Sequence, residues 1–266
     1  MRVSLLLLLP CFLWAEQEPE GRTAFIAASR KYHQGDFDAA IAGYQQTIAL
    51  HHEVPFSKMM ISRLWNLKGD IDKSMAALDD AAEFEFPGVQ TLQTDPEFDA
   101  VRQDSRYPAI LAKVRLNNQF QACPNRDRRH QFNFWLGLWS VSTADGKLLG
   151  ADKVEPAEGG CLLRETWTGL TAGDTGQSNT FYDRLTSYWR QVWIDPSGQP
   201  LDYYGELIDG VMTFQQIAYN GGLKTITVVT YSSMPDGTVQ QKGQRSTDDG
   251  ATWITTSTFI FTRQTQ

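Results

Sequence analysis

Short turn motifs recur through the second half of the chain with strand-forming runs between them, and this rhythm restricts the fold more than any other feature. The motifs are Ala144-Asp145-Gly146, Glu158-Gly159-Gly160, Asp195-Pro196-Ser197-Gly198, Asp209-Gly210, Asn220-Gly221-Gly222, Pro235-Asp236-Gly237 and Asp248-Asp249-Gly250. The runs between them are rich in Thr, Val, Ile, Tyr and Trp, which fit a pleated surface, while Gly, Asn and Asp tolerate the backbone of tight hairpins. Turns this short join neighbouring strands, so residues 130–264 read as an antiparallel meander of about nine or ten strands. Left flat, such a sheet has two unpaired edges. Closing it into an up-and-down β-barrel removes them.

The N-terminal part is built on a different period. Gly35-Asp36-Phe37-Asp38 returns as Gly69-Asp70-Ile71-Asp72, which matches the 34-residue repeat of tetratricopeptide arrays. In that register Ala40, Ile41, Tyr44 and Ile48 fall opposite Ser74, Met75, Leu78 and Ala82, so each copy carries small and apolar positions at helical spacing. Each glycine suits the end of one helix and each following Asp can cap the next. Residues 22–87 resemble the tetratricopeptide family in these positions, although the Trp and Leu-Gly pair of that family's first helix are absent. Leu92, Pro96, Phe98, Val101, Tyr107, Ile110 and Leu111 read as a helical cap on the last repeat. The expected class is therefore α+β and multidomain: repeats with cap over 22–116, a polar linker over 117–129, and the barrel over 130–264.

Arg2, the apolar run Val3 to Trp14, small Ala15 and polar Glu16-Gln17-Glu18 have the layout of an export signal over residues 1–15. Its apolar run of about twelve residues is shorter than the roughly 20 of a spanning helix. The expectation is a periplasmic or secreted protein with no spanning helix after cleavage. Cleavage leaves Cys123 and Cys161. In an exported chain an even pair reads as a disulfide, with two buried thiols as the alternative. A bridge closing the 123–161 loop would stabilise by roughly 3 to 4 kcal/mol through chain entropy. A net charge of -7, with no basic cluster beyond Arg126-Asp127-Arg128-Arg129, argues against a nucleic-acid partner. Adjacent His51 and His52 face different directions on a helix, and no cysteine or carboxylate cluster completes a metal site, so no metal or cofactor is expected.

Phe132, Phe134, Trp135, Gly137 and Trp139, then Gly160-Cys161, Glu165, Trp167, Ser178-Asn179, Trp189, Gln191, Trp193, Asp195, Asp249-Gly250 and Trp253 together resemble a bacterial lipocalin-like (calycin) family. The resemblance covers residues 123–264. It implies a small closed barrel for a hydrophobic or amphipathic ligand, with Gly137 and Trp139 at the closed end, and no particular reaction.

Strand alternation places Cys161, Leu163, Glu165 and Trp167 on the inner face of one strand and Trp189, Gln191 and Trp193 on that of another, with Tyr188 and Arg190 outside, and puts Leu201, Tyr203 and Leu207 on a shared face of the next. Trp253, Phe259 and Phe261 are expected to share the inner face of the last strand. With Asn179, these give a candidate ligand site of Glu165, Trp167, Asn179, Trp189, Gln191, Trp193 and Tyr203. Among Glu165, Asp183, Asp195, Asp202 and Glu206, only Glu165 has a context that predicts burial, and burial would fit it for general acid or base chemistry. Three readings follow: a ligand-binding barrel with repeats for a protein partner, an isomerase or cyclase using Glu165, and a solid barrel whose only role is interaction. No Gly-x-Ser-x-Gly motif or barrel histidine supports a serine hydrolase or a haem ligand.

Overall fold

The computed structural model describes residues 14–118 and 127–264. The expected signal segment lies outside them except for Trp14 and Ala15, which begin α1, and Cys123 lies outside them as well. Seven α-helices precede ten strands among the described residues.

The helical part begins with two hairpins. Helices α1 (Trp14–His33) and α2 (Phe37–Ala49) form one, and α3 (Val54–Leu67) and α4 (Ile71–Glu83) the other. Gly35 and Gly69 hold φ of 76° and 79° in the two turns, a left-handed backbone that glycine adopts without a Cβ penalty. The next residues cap the second helices: the Asp36 carboxylate accepts from the Ala39 amide at 3.3 Å, and Asp70 from that of Lys73 at 3.1 Å. Ala40, Ile41 and Tyr44 are buried in α2, as Ser74, Met75, Leu78 and Ala82 are in α4. Ser74 also donates to the Ser62 carbonyl at 2.8 Å, which satisfies a hydroxyl where the helices approach closely. Beyond α4, helices α5 (Val89–Thr94), α6 (Asp99–Arg102) and α7 (Tyr107–Asn117) fold over the second hairpin, burying Leu92, Phe98, Val101 and Ile110.

The ten strands close in sequence order, with β1 completing the circle against β10. They are β1 (Gly137–Thr143), β2 (Leu148–Ala157), β3 (Leu162–Gly169), β4 (Thr175–Asp183), β5 (Tyr188–Ile194), β6 (Leu201–Ile208), β7 (Val211–Asn220), β8 (Leu223–Ser233), β9 (Val239–Ser246) and β10 (Ile254–Arg263). Every neighbouring pair is antiparallel. Trp253 precedes β10, and a register shift between Thr255 and Ser257 separates it from Phe259 and Phe261. A bulge there ends the simple alternation on which the shared face of these three residues was based.

One end of the barrel is stopped by its own entry segment. Phe132 and Trp135 stack at 5.0 Å, and both meet the Tyr231 ring, at 5.0 and 4.9 Å. Trp139 is buried below them and donates from its indole to the Trp135 carbonyl at 2.9 Å, while the Arg263 guanidinium lies over its ring. A Cβ on Gly137 would come within 2.5 Å of Arg263 Nη1, so the glycine leaves room for that arginine to lie over Trp139.

The helical part leans on this stopped end. His51 stacks on Tyr188 at 3.6 Å between centroids, and its Nδ1 lies 3.1 Å from the Thr186 carbonyl. Burial lowers the His51 pKa to about 4, so the ring is neutral, and the carbonyl partner places its hydrogen on Nδ1. Tyr188 does point out of the barrel, yet it is buried because the helical part covers it.

Candidate functional site

The opposite end of the barrel is open. A cavity of about 600 Å³ enters between the β1–β2, β3–β4 and β5–β6 turns and runs inward to Tyr231 and Phe261, within the size range of small-molecule sites. Trp167, Trp193, Tyr203, Tyr231, Phe259 and Phe261 give its walls an aromatic component beside aliphatic and polar residues. The Trp167 ring covers Gly150, where a Cβ would fall 2.7 Å from Cη2, and the Trp193 ring covers Gly176, where a Cβ would fall 2.1 Å from Cζ2. The Trp167 indole also donates to Asp174 Oδ1 at 3.0 Å at the mouth.

The arrangement over Gly176 yields a direct expectation. Gly176→Ala must push Trp193 aside, at a cost of about 1 to 3 kcal/mol and with a shift in tryptophan emission. Urea unfolding followed by fluorescence reads both, and an unchanged spectrum and midpoint would show that the ring yields freely.

Two carboxyl groups lie inside. On β2 the inward positions are Gly150, Asp152 and Val154, and on β3 they are Leu163, Glu165 and Trp167. Val154 pairs with Glu165 and Asp152 with Trp167, so the two acids are diagonal neighbours across the strands. Asp152 is 2% exposed and Glu165 7%. Ser178, directly opposite Glu165 on β4, donates its hydroxyl to Glu165 Oε2. Asp152 and Glu165 are close enough to interact, yet neither Asp152 oxygen has a partner in hydrogen-bonding geometry.

Burial raises the Asp152 pKa to about 7, and burial followed by repulsion from Asp152 lifts Glu165 well above the carboxylate range. Near neutral pH the pair therefore retains at least one proton. Such a pair can hold a cation or a hydrogen-bond donor, or exchange a proton with a bound molecule. Across the cavity the Gln241 amide donates to the Tyr231 hydroxyl at 2.6 Å, and Tyr231 faces Gln191 Oε1 at 3.5 Å. Gln191 Nε2 is buried without a partner.

Glu165, Trp167, Gln191, Trp193 and Tyr203 all line this cavity. Two expected site residues stand elsewhere. Asn179 is exposed on the outer face, because its neighbour Ser178 takes the inward position opposite Glu165 and the strand period is two. Trp189 faces inward at the stopped end, where it touches Phe132 and donates to Gln131 Oε1 at 3.1 Å. Glu165 is also not the sole buried acid of the strands, since Asp152 is buried beside it.

Asp152, Ser178, Tyr231 and Gln241 were not anticipated. The alternation Gly150, Asp152, Val154 against Ala151 and Lys153 contained the signal for Asp152, whereas nothing local in β8 or β9 announces the register that sets Tyr231 directly opposite Gln241. Among the described residues no group of three or more His, Cys, Asp or Glu is arranged to hold a metal ion, and no helix is long and apolar enough to cross a membrane.

No protein-family model matches the sequence, and no curated protein matches it at a significant level.

Proposed function

We propose that this is an exported binding protein, periplasmic or secreted, whose barrel holds a small hydrophobic or amphipathic ligand. The observation that carries the reading is the partly aromatic cavity of about 600 Å³ with unpartnered polar atoms of Asp152 and Gln191 facing it. A barrel filled by its own side chains would pair such groups internally or leave no space for them. The cavity thus weighs against the solid-barrel reading.

The lipocalin-like resemblance of residues 123–264 supports the same use of the barrel. The tetratricopeptide-like hairpins then brace the stopped end and offer a groove to a protein partner. A Cys123–Cys161 bridge belongs to the proposal, tying the segment before the barrel to the start of β3.

Native mass spectrometry of the full chain, purified without denaturant, tests the central claim. The expected spectrum shows the protein carrying a small molecule that denaturation releases. A bare mass, together with no thermal shift on adding a hydrophobic probe, would sink it.

The second reading, an isomerase or cyclase, is favoured by one observation: Asp152 and Glu165 form an interacting buried pair able to hold and release a proton. The two readings part at Glu165→Gln. Under the enzyme reading this variant loses turnover of an identified substrate. Under the binding reading no turnover exists for it to lose.

A further inference from the structure

We infer that the ligand is an amphipathic amine, its ammonium group set between Asp152 and Glu165 and its apolar body lying along Trp167 and Trp193. This rests on the binding reading above and names its ligand class. The first support is the state of Asp152: the side chain is 98% buried, lines the cavity, and neither oxygen meets a donor in hydrogen-bonding geometry, although Glu165 and the Lys153 backbone are near enough to act on it. A buried carboxylate is costly unless something pairs with it. Among the described residues no basic side chain forms an ion pair with Asp152 or Glu165. The proton that the pair retains offsets one of the two charges, and a cationic ligand can offset the other.

The balance of charge along the walls points the same way. The ionisable cavity residues other than tyrosines are Asp152, Glu165, Asp174, Asp195 and, at the rim, Lys147. A fatty acid or another anion entering here would meet acids at the mouth and again at depth. A cation is drawn inward past the faces of Trp167 and Trp193, which attract positive charge through their ring quadrupoles. Independently of the acids, Gln191 Nε2 is an unpartnered donor, buried in a residue 4% exposed. It calls for an acceptor on the ligand, such as a hydroxyl, ether or carbonyl oxygen.

Calorimetric titration of the full chain at pH 7.5 with 4-phenylbutylamine, 4-phenylbutanol and 4-phenylbutyrate tests the inference, because the three share one skeleton and differ in head-group charge. The expected order is amine, then alcohol, then acid, with the amine at least tenfold tighter than the alcohol. In the double variant Asp152→Asn, Glu165→Gln, the amine-to-alcohol ratio should fall to about one. The wild-type ranking decides the matter even if that variant does not fold. Alcohol binding equal to amine binding, or preference for the acid, overturns the amine assignment and leaves the pocket standing. Failure of all three probes to bind overturns the pocket and the assignment together.

Discussion

The double variant Asp152→Asn, Glu165→Gln should be more stable than the wild-type protein at pH 8 when no ligand is bound, by about 2 to 4 kcal/mol, and should lose the fall in stability with rising pH that this pair produces. The direction follows from proton counting. Unfolded, the two acids titrate near pH 4; folded, Asp152 does so at about 7, and Glu165 is raised as well. Between those values the folded chain binds more protons than the unfolded one, so stability falls as pH rises from about 4 through 7. Below pH 4 both states are protonated and the difference vanishes. The groups facing the pair are Ser178 from β4, Gln191 from β5, Tyr203 from β6, Tyr231 from β8 and Gln241 from β9, with Lys147 at the rim. Burial keeps Tyr203 and Tyr231 neutral across this range by raising both pKa values. Urea unfolding at pH 5 and pH 8, followed by tryptophan fluorescence, gives the comparison. His51, whose pKa burial lowers to about 4, gives the opposite slope in both proteins, so the stability difference between variant and wild type is the readout, and a difference that is the same at pH 5 and pH 8 would mean that the carboxyl pair is solvated or already compensated.

This prediction also explains why part of the site was hard to read from sequence. Glu165 stood out because Leu163 and Trp167 flank it at a spacing of two, and that local alternation is what decides the face of a strand. Asp152 carries a similar signal between Gly150 and Val154, but a glycine contributes no hydrophobic weight to a pattern. The inward glycine is explained by what lies over it from β3, the Thr168 carbonyl and the Trp167 ring. Asn179 shows the limit from the other side. The Ser178-Asn179 pair identifies a strand, while the choice between the two residues depends on register with Glu165, which is a property of the paired sheet.

The helical part was legible for a physical reason of its own. A glycine with positive φ followed by a capping Asp is a local device, encoded in two adjacent residues and repeated in the second hairpin. His51 was not legible in this way. In the turn between α2 and α3 it is one of two adjacent histidines, and its place follows from Tyr188 and Thr186, far along the chain. Contacts between the two halves leave no periodic trace, since they involve a few residues at the ends of elements.

The strongest of those contacts provides the second large effect. Arg129→Met should destabilise the protein by about 3 to 5 kcal/mol, although the position lies in a single short 3-10 turn, Asp127–His130, between the two halves. Glu85 follows α4, is 3% exposed, and receives the Arg129 guanidinium through Nε at 3.0 Å and again through Nη2. The same guanidinium reaches the Tyr182 carbonyl on β4 at 3.4 Å and lies over the Tyr182 ring. Removing it leaves the Glu85 charge buried opposite an apolar side chain, and the cost of that desolvated charge exceeds the worth of an exposed ion pair. Adding Glu85→Gln to Arg129→Met should therefore recover part of the loss, because it removes the orphaned charge. Chemical unfolding of the two single variants and the double variant completes the cycle. If Arg129→Met costs less than about 1 kcal/mol, the range of a surface pair, the ion pair is solvated, and the other contacts, among them His51 on Tyr188 and the Val54 amide on the Leu185 carbonyl at 2.9 Å, hold the helical part to the barrel.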